Sequence, residues 1–394
     1  MYFSRHLLAI AGVAVAALAV LYAALALLAV LVWQLRRRRL ERVGRLPAVP
    51  PQLPPVTVLK PLCGAEPGLY QQLRSFCQQD YPQFQIIFGA RDPADPALGV
   101  AAQLAAEFPA LAIDIVVDPQ QHGSNFKTSN LINMLARARH DVLAIADSDT
   151  SVRPDYLRTV TAPLLDPGVG LVTSTYLDVP TPLVWSRLGA MYINEWYMPS
   201  VLLTWLFGYQ GYASGQTLCL RRDTLAAVGG LAVTADQLAD DYCLCELIRA
   251  RGLRVVLSPA RVLAQHYEPD LHSLMQHELR WMRTIRALRP RSFGMMFLSF
   301  GWPVAFFGCV LAAADPALST SAAALFCSAL LARLGLHFAH RLDDDRSLLS
   351  DIWLLPLRDL LLCWVWYRSF FTARVMWRGR ELDVDPNGVV RREL

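Results

Sequence analysis

The sequence predicts an α/β fold with a mostly parallel sheet, joined to membrane segments near both ends of the chain. Three observations support this prediction. Short apolar runs alternate with segments of helical period. Polar residues follow the ends of these runs, and uncharged stretches lie near the two ends of the chain. With 54% hydrophobic and 18% charged residues, the chain is too apolar for a wholly soluble enzyme. We place domain boundaries at residues 1–46, 47–290 and 291–394.

The first domain, residues 1–46, is predicted to be a membrane anchor. Residues 7–33 carry no charged side chain and are long enough for one tilted span. Only Arg5 precedes this stretch, whereas six arginines follow it: Arg36, Arg37, Arg38, Arg39, Arg42 and Arg45. The positive-inside rule therefore places the N-terminus outside and the following chain in the cytoplasm. A cleaved signal peptide fits less well, because its basic flank would precede a shorter apolar region.

The second domain, residues 47–290, has the pattern of a globular enzyme after a proline-rich linker over residues 47–55. Strands are predicted over residues 56–60, 84–91, 113–117 and 142–147, and helices over residues 66–78, 95–108 and 125–139. Such alternation gives parallel strands with right-handed crossovers. Ligands bind beyond the carboxyl ends of these strands, so the polar residues there are candidates: Lys60, Asp92, Asp118, Asp147 and Asp149.

The remainder of the chain is predicted to return to the membrane. Beyond residue 169 the alternation weakens, and an aromatic-rich segment over residues 176–211 suits a membrane interface. Further strands are predicted over residues 217–221 and 254–257, and helices over residues 238–250 and 271–288. Residues 292–314 and 316–332 predict a hairpin of two spans. Residues 348–371 contain four charges, which favours an interfacial or re-entrant element, and Arg374, Arg378 and Arg380 keep the tail cytoplasmic.

The best candidate for a metal site is the sequence Asp147-Ser148-Asp149 at the end of a predicted strand. Carboxylates at alternate positions can converge on Mg²⁺ or Mn²⁺, which prefer oxygen ligands and often share them with substrate phosphates. Taken alone, the same residues suit an ordinary turn. Asp92 can equally cap a turn, and Lys60 can be a solvated strand end. Lys127 begins a helix, which suits a phosphate or a capped surface helix.

Two further groups of residues are candidates. Asp240 and Asp241 begin a predicted helix, where carboxylates also favour the helix dipole. His277, Arg280 and Trp281 lie in the sequence HELRW within a basic amphipathic helix. That basic face suits anionic lipid or, alternatively, a diphosphate contacted by Arg280 with Trp281 lining a pocket.

Taken in order, these motifs resemble a known family. The sequence contains D, DxD, DD and HxxRW followed by a membrane hairpin, and this order is similar to lipid-directed glycosyltransferases of the family 2 and family 21 type. The segments "VTVLKPLCGAEPGLYQQLRSFCQQDYPQFQIIFGARDPADPA", "ADSDTSVRPDYL" and "HELRWMRTIRALRP" most resemble the hopanoid-biosynthesis branch, and ceramide glucosyltransferases are also similar. His277 stands where the broad family has Gln or Arg, which favours the hopanoid branch.

The resemblance implies a GT-A-type, Rossmann-like catalytic domain and a set of residue roles. Asp241 would be the general base and Asp240 its acidic neighbour. Asp149 and Asp147 would hold a divalent cation, Mg²⁺ or Mn²⁺. Binding of the UDP-sugar would involve Lys60, Asp92, Lys127, Asp147 and Arg280. His277 and Trp281 would contact the lipid acceptor.

The implied activity is inverting transfer of a sugar from a UDP-sugar to a lipid hydroxyl at a bacterial inner membrane. For the hopanoid branch, N-acetylglucosamine would pass to a polyhydroxylated hopanoid, whereas glucose would pass to ceramide in the alternative branch. A polysaccharide synthase is a second alternative, but three predicted spans are few for a channel. A non-enzymatic binding protein would be expected to lack a site aspartate. The net charge of +4 does not indicate a nucleic-acid partner, and the absence of a CxxC pair disfavours zinc.

Overall fold

A computed structural model of the chain describes residues 2–42, 53–342, 346–377, 380–385 and 388–391. Most of the predicted proline-rich linker, together with Arg45 and Arg378, lies outside the described residues. The strands are β1 (Val56–Pro61), β2 (Phe84–Ala90), β3 (Ala112–Val117), β4 (Val142–Ile145), β5 (Thr150–Val152), β6 (Val169–Asp178), β7 (Leu218–Arg221), β8 (Arg254–Ala264), β9 (Arg374–Trp377), β10 (Arg380–Val384) and β11 (Val390–Arg391). The α-helices are α1 (Tyr2–Arg42), α2 (Leu69–Cys77), α3 (Ala97–Glu107), α4 (Phe126–Leu135), α5 (Tyr156–Thr161), α6 (Val184–Tyr192), α7 (Met198–Leu206), α8 (Arg222–Ala227), α9 (Asp240–Ala250), α10 (Leu271–Leu288), α11 (Pro290–Met295), α12 (Trp302–Ala312), α13 (Pro316–Arg341) and α14 (Leu355–Arg368).

The chain forms two compact units, and each is assembled from three separate segments. The membrane unit comprises Met1–Arg39, Leu183–Gly208 and Glu268–Gly379. The sheet unit comprises Leu40–Pro182, Tyr209–Tyr267 and Arg380–Leu394. Helices α6, α7 and α10, which lie within residues 47–290, belong to the membrane unit. The domain boundaries at residues 1–46, 47–290 and 291–394 stay a prediction.

The sheet unit contains an eight-stranded sheet in the order β3-β2-β1-β4-β7-β6-β8-β5. Strands β3, β2, β1 and β4 are parallel, as are β6 and β8, whereas β7 and β5 run antiparallel to their neighbours. The predicted α/β fold with a mostly parallel sheet is therefore confirmed. All the predicted strands of this sheet are present, but β5 and the long β6 were not predicted.

Helix α4 is packed closely against the parallel half of the sheet. Every residue of β1 and β4 is buried, as expected for strands covered on both faces. The Asn130 side-chain amide donates to the carbonyl of Gly89 at 2.8 Å. A Cβ atom at Gly89 would overlap Met134, so the absence of a side chain there permits this close packing. The packing fixes the start of α4 near the carboxyl ends of β1 and β4.

In the membrane unit, α1 and α13 are long and apolar enough to cross a membrane. The two helices run in the same direction, because their first residues lie together and their last residues lie together. His6 Nδ1 lies 2.5 Å from the Asp315 carboxylate at one end. At the other end, the Gln34 side chain donates to the Ala339 carbonyl at 2.7 Å. The two helices therefore have the relative direction expected for an N-terminal span followed by a returning hairpin.

The first arm of the predicted hairpin, residues 292–314, is not one straight helix. The pair of helical segments Pro290–Phe300 and Trp302–Ala312 is bent by 79°. The break occurs at Gly301, whose φ of +63° is readily adopted only by glycine. Beyond it, α12 packs closely on α1, since a Cβ atom at Gly308 would overlap the carbonyl of Gly12. Small residues allow this approach of two helix backbones.

Charged residues of the C-terminal membrane segment are paired inside the protein. Arg358 in α14 forms a bidentate ion pair with Glu278 in α10, and both side chains are almost fully buried. Arg333 in α13 contacts Glu195 at 2.8 Å and Asp359 at 2.8 Å. These pairs show how residues 348–371 accommodate charges that would be costly in lipid. The segment forms α14, which is too short to be counted among the candidate spans.

Candidate active site

The side chain of Lys60 stabilises the loop that carries Asp147 and Asp149. The fully buried Lys60 ammonium donates to the Asp147 carbonyl oxygen and to Thr150 Oγ1, the latter at 3.0 Å. It also lies 3.8 Å from the ring centre of Phe76. Burial lowers the pKa of Lys60 to about 7, although the two aspartates oppose this shift. The ammonium is occupied by the loop, so its predicted contact with a nucleotide-sugar stays a prediction.

Asp147 forms an ion pair with Lys127, which begins α4. The Lys127 Nζ atom lies 2.6 Å from the Asp147 carboxylate and 3.7 Å from the Asp240 carboxylate. Burial alone would raise the pKa of Asp147, but the attraction of Lys127 lowers it below the usual value. Burial likewise opposes the charge on Lys127, yet the nearby carboxylates raise the pKa of that ammonium. The structure thus brings together predicted site residues from three separate elements.

Asp149 has an oxygen available for a ligand. Its Oδ1 atom is buried and has no hydrogen-bond partner within the described part of the chain. Its other oxygen lies 3.5 Å from His266 Nε2. The opposite ring nitrogen of His266 lies 2.9 Å from the buried carboxylate of Asp178. Burial raises the pKa of Asp149 to about 6.

His266 and Asp178 were not predicted as site residues. Both lie at strand ends, since Asp178 is the last residue of β6 and His266 follows β8. A carboxylate that holds one nitrogen of a histidine leaves the other nitrogen oriented toward a ligand, as is common around metal ions. The pattern that could have identified them is a polar residue at the end of an apolar strand. This pattern was missed because β6 itself was not predicted.

The residues around Asp149 fit a divalent cation that shares its ligands with a substrate. The unpaired Asp149 oxygen and His266 Nε2 are suitable donors for Mn²⁺ or Mg²⁺. No group of three or more His, Cys, Asp or Glu side chains poised for a metal occurs among residues 2–42, 53–342 and the described C-terminal stretches. Mg²⁺ commonly completes its coordination with water and substrate phosphates. Asp147, predicted as a second metal ligand, is paired with Lys127 in this arrangement.

The Asp241 carboxylate accepts hydrogen bonds from two backbone N–H groups. One carboxylate oxygen accepts from the Gly215 backbone N–H at 3.0 Å, and the other accepts from the Tyr242 N–H at 2.7 Å. Burial, followed by repulsion from Asp240, raises the pKa of Asp241 to about 6. A half-buried carboxylate with such a pKa is ionised near neutral pH and can accept a proton. This property suits the predicted role of general base.

Gly215 is a second residue that was missed from the sequence. Its carbonyl oxygen accepts from the Asp147 N–H at 3.0 Å. A Cβ atom at this position would overlap the Asp147 carboxylate and the Lys127 ammonium. Only glycine therefore allows the backbone to pass between the DxD loop and α9 without displacing charged groups.

Asp92 is exposed at the carboxyl end of β2, in the turn that precedes α3. Its Oδ1 atom accepts from the Ala94 backbone N–H at 2.8 Å. This bond stabilises the turn, as expected if Asp92 caps it. β2 is parallel to β1, so Asp92 lies at the same edge of the sheet as the DxD loop. Its predicted contact with the nucleotide stays a prediction.

His277, Arg280 and Trp281 lie in the membrane unit, on α10. The His277 Nδ1 atom lies 2.6 Å from a Glu268 carboxylate oxygen, and its ring is 4.0 Å from that of Trp281. Trp281 also stacks on Tyr192, with ring centres 5.4 Å apart. His277 and Trp281 thus belong to an aromatic cluster of their own unit, and Arg280 lies 5.9 Å from the Trp281 ring centre. Their predicted contacts with diphosphate and acceptor stay predictions.

Two arginines of the basic face of α10 have partners within the protein. Arg283 donates to the Arg374 carbonyl at 2.5 Å, and Arg286 donates to the Thr372 carbonyl at 3.0 Å. Both acceptors follow the end of α14. The three-residue repeat of arginines on this helix is therefore explained in part by the binding of backbone carbonyls rather than by lipid alone.

Comparison with known proteins identifies relatives over most of the chain. A model of glycosyl transferase family 21 matches residues 13–390. Ceramide glucosyltransferase 1 of Caenorhabditis elegans is 26% identical over 247 residues, which cover 61% of this chain and 52% of that protein. Ceramide glucosyltransferase of Komagataella phaffii is 35% identical over 108 residues, covering 26% and 21%. The chain thus spans about half, or less, of the length of these curated relatives.

Solved glycosyltransferases are also similar. A mannosyltransferase from Pyrobaculum calidifontis, in complex with GDP-Man and Mn²⁺, is 20% identical with a TM-score of 0.46 and covers 90% of this chain and 94% of its own. GalNAc-T7 with UDP, GalNAc and Mn²⁺ is 11% identical with a TM-score of 0.39 and covers 61% and 52%.

Proposed function

The chain belongs to glycosyl transferase family 21, and on this premise we propose that it transfers a sugar from a UDP-sugar to a hydroxyl group of a membrane lipid. One observation carries the proposal. Asp147, Lys127, Asp240 and Asp241 converge from the ends of β4, α4 and α9. Glycosyl transfer needs a base for the attacking hydroxyl and positive charge for the leaving diphosphate, and this cluster supplies both.

In the proposed reaction, Asp241 accepts the proton of the acceptor hydroxyl as its oxygen forms a bond to the anomeric carbon. The bond from that carbon to the UDP oxygen breaks, and UDP leaves with the electron pair. The hydroxyl enters opposite the leaving group, so the configuration at the anomeric carbon inverts. Assistance by such a base is worth roughly 10²–10⁴-fold in rate.

Lys127 stabilises the departing diphosphate, because its ammonium is held at the site by Asp147 and Asp240. Asp149 and His266 would hold a divalent cation, and the bound cation would neutralise charge that develops on the diphosphate. Asp178 orients His266 for this task. Lys60 keeps the loop in place from its buried position.

Four further contacts with the donor and the acceptor rest on family resemblance. Asp92 is assigned to the uracil or ribose of the donor, and Arg280 to the diphosphate. His277 and Trp281 are assigned to the acceptor. The aromatic contact between the last two residues is suited to an apolar lipid body with a polar head.

Two lipid acceptors are supported by different observations. The HELRW form of the motif favours a polyhydroxylated hopanoid that receives N-acetylglucosamine. The named relatives are ceramide glucosyltransferases, and they favour ceramide that receives glucose. We propose the hopanoid as the acceptor and keep ceramide as the second candidate.

Product analysis by mass spectrometry tests the proposal. The purified full chain in detergent is offered UDP-N-acetylglucosamine or UDP-glucose with a hopanoid polyol or ceramide, with and without Mg²⁺. We expect one sugar on the hopanoid. Activity on ceramide alone refutes the hopanoid acceptor, and long sugar chains indicate a polysaccharide synthase. Full activity in excess chelator refutes the role of the cation.

Matched variants assign the base. Asp241→Asn is expected to lower turnover by roughly 10²–10⁴-fold. Asp223→Asn is the control, because Asp223 is also in the first turn of a helix but its side chain is largely exposed. Near-normal turnover by a folded Asp241→Asn protein would show that another group takes the proton.

A further inference from the structure

Two loops of the sheet unit, each directly before a helix that carries site residues, are hydrogen-bonded to each other. The first loop, residues 123–125, precedes α4, and the second, residues 235–239, precedes α9. The Asn125 backbone N–H donates to the Ala235 carbonyl at 2.8 Å. The Asn125 side-chain amide donates to the Gln237 carbonyl at 2.8 Å. Asn125 thus ties the start of α4 to the approach to α9.

Asp236 adds the strongest connection between these loops. A single carboxylate oxygen of Asp236 accepts from the Ser124 backbone N–H at 2.7 Å and from the Ser124 hydroxyl at 2.9 Å. The loops also meet closely at Gly123, where a Cβ atom would overlap the backbone of Ala235. Bonds to an ionised acceptor are shorter and stronger than neutral ones. The two loops are therefore held as one structural element.

The end of the chain binds this element. The Val390 N–H donates to the Asp236 carbonyl at 2.8 Å, and the Leu238 N–H donates to the Gly388 carbonyl at 3.0 Å. The Ser124 hydroxyl also lies 3.2 Å from the Val390 carbonyl. Residues 388–390, called the C-terminal strap below, therefore contact both loops.

The C-terminal strap is itself anchored. Val390 is buried and is paired with Val384 in the antiparallel contact between β10 and β11. The Asp385 N–H donates to the Val389 carbonyl at 3.0 Å, and Gly388 has a φ of +78° that suits a tight turn. The strap is therefore an ordered hairpin end that leaves the Val390 N–H directed at Asp236.

We propose that Asp236 and the C-terminal strap are positioning elements for the reaction, because they set the distance between Lys127 and the Asp240–Asp241 pair. The catalytic meaning of this distance rests on the proposed function. Asp236 acts through the two loops and requires no contact with a substrate. Loss of its bonds frees the starts of α4 and α9 to move apart.

Small changes in this distance matter for the reaction. Lys127 Nζ and the Asp240 carboxylate are 3.7 Å apart, so Lys127 reaches both the DxD loop and α9. A displacement of about 1 Å in a reacting group can cost about 10²-fold in rate. Binding of the lipid by other residues would be largely unaffected. The proposed role therefore predicts a loss in kcat with little change in the KM for the acceptor.

Hydrogen–deuterium exchange of the purified full chain in detergent tests the coupling without any substrate. Asp236→Ala removes both bonds to Ser124, whereas Asp236→Asn keeps an oxygen that can accept them. Val390→Pro removes the N–H that donates to the Asp236 carbonyl and leaves the Asp236 side chain in place. Asp166→Ala is the control. The Asp166 carboxylate also accepts from a loop backbone N–H, that of Gly168 at 2.8 Å, but its loop contains none of the site residues.

We expect Asp236→Ala and Val390→Pro to speed exchange by about tenfold over residues 123–128 and 235–242 together, with the rest of the sheet unchanged. With an active donor and acceptor pair, we expect kcat to fall by about 10–100-fold and the acceptor KM to stay within about twofold. Asp166→Ala should match the wild-type protein in both measurements, and Asp236→Asn, which keeps the acceptor oxygen without its charge, should change both less than Asp236→Ala does.

Wild-type exchange in both loops of folded Val390→Pro protein overturns the proposal, even if Asp236→Ala does not fold. An increase confined to one loop, or spread over the whole sheet, also overturns it. Coupled exchange without any glycosyl transfer would instead refute the proposed function, because the exchange measurement needs no substrate.

Discussion

The pH dependence of turnover should report the ionisation of Asp241. Burial and the Asp240 carboxylate raise the pKa of Asp241 from 3.8 to about 6. A general base acts only in its ionised form, so activity is present above this pKa and is lost as the pH falls through it. About nine-tenths of Asp241 is ionised at about pH 7 and about one-tenth at about pH 5. We therefore expect kcat/KM to fall by about tenfold between these values.

The acid side of the profile needs to be assigned, because burial also raises the pKa of Asp149 to about 6. The substitution Asp240→Asn separates the two groups. Asp240 raises the pKa of Asp241, whereas the charges acting on Asp149 are chiefly those of His266 and Asp147. The acid limb of Asp240→Asn should therefore move to lower pH, whatever the effect of this substitution on the maximal rate.

The assay is the rate of product formation against pH at constant ionic strength and saturating Mg²⁺. The substitution His266→Gln is the counterpart, since it changes the surroundings of Asp149 and leaves the pair in α9 intact. If the acid limb moves in His266→Gln and stays fixed in Asp240→Asn, then Asp241 is not the group being titrated.

Three further perturbations follow from the site and the membrane unit. Gly215→Ala should lower kcat/KM by at least about tenfold, because the added methyl group displaces the Lys127 ammonium and the Asp147 carboxylate. Gly99→Ala is the control, since the space around a Cβ atom at Gly99 is open. The pKa of Lys60 is lowered to about 7 in the folded protein, so the unfolded chain binds the proton more tightly. From about pH 7 to about pH 10, the stability of the wild-type protein to denaturant should therefore rise relative to that of Lys60→Met. A constant difference in stability between the two proteins would contradict this reasoning. Arg358→Met should destabilise the protein by about 3–5 kcal/mol, and the added substitution Glu278→Leu should recover most of this loss in thermal unfolding; equal losses in the single and double variants would show that the ion pair is not the cause.

The parallel half of the sheet could be predicted because local patterns determine it. β1 and β4 are short apolar runs that end in polar residues, and the intervening segments have helical spacing. The grouping of Asp147, Asp240 and Lys127 could be predicted only from their order along the chain and the family it resembles. No local feature gives the 2.6 Å contact between Lys127 and Asp147, because it depends on how α4 packs against the sheet.

Other features could not be predicted because they depend on contacts between distant segments. β6 contains polar and small residues, and it joins the sheet by pairing with β7 and β8, which are distant in sequence. His266 and Asp178 acquire a role when β6 and β8 become neighbours. Gly215 lies in a loop whose sequence carries no motif. The 79° bend at Gly301 was also missed, because hydropathy reports length and polarity rather than direction.

The interleaving of the two units has a consequence for the making of the protein. The last segment of the sheet unit, Arg380–Leu394, is synthesised after every helix of the membrane unit. A nascent chain thus has all eight strands of its main sheet, and every proposed catalytic group, long before residues 388–390 emerge from the ribosome. If these residues brace the starts of α4 and α9, the two loops are joined only after residues 388–390 have been synthesised. Until then, the proposed catalytic groups would lack the connection that holds α4 and α9 together.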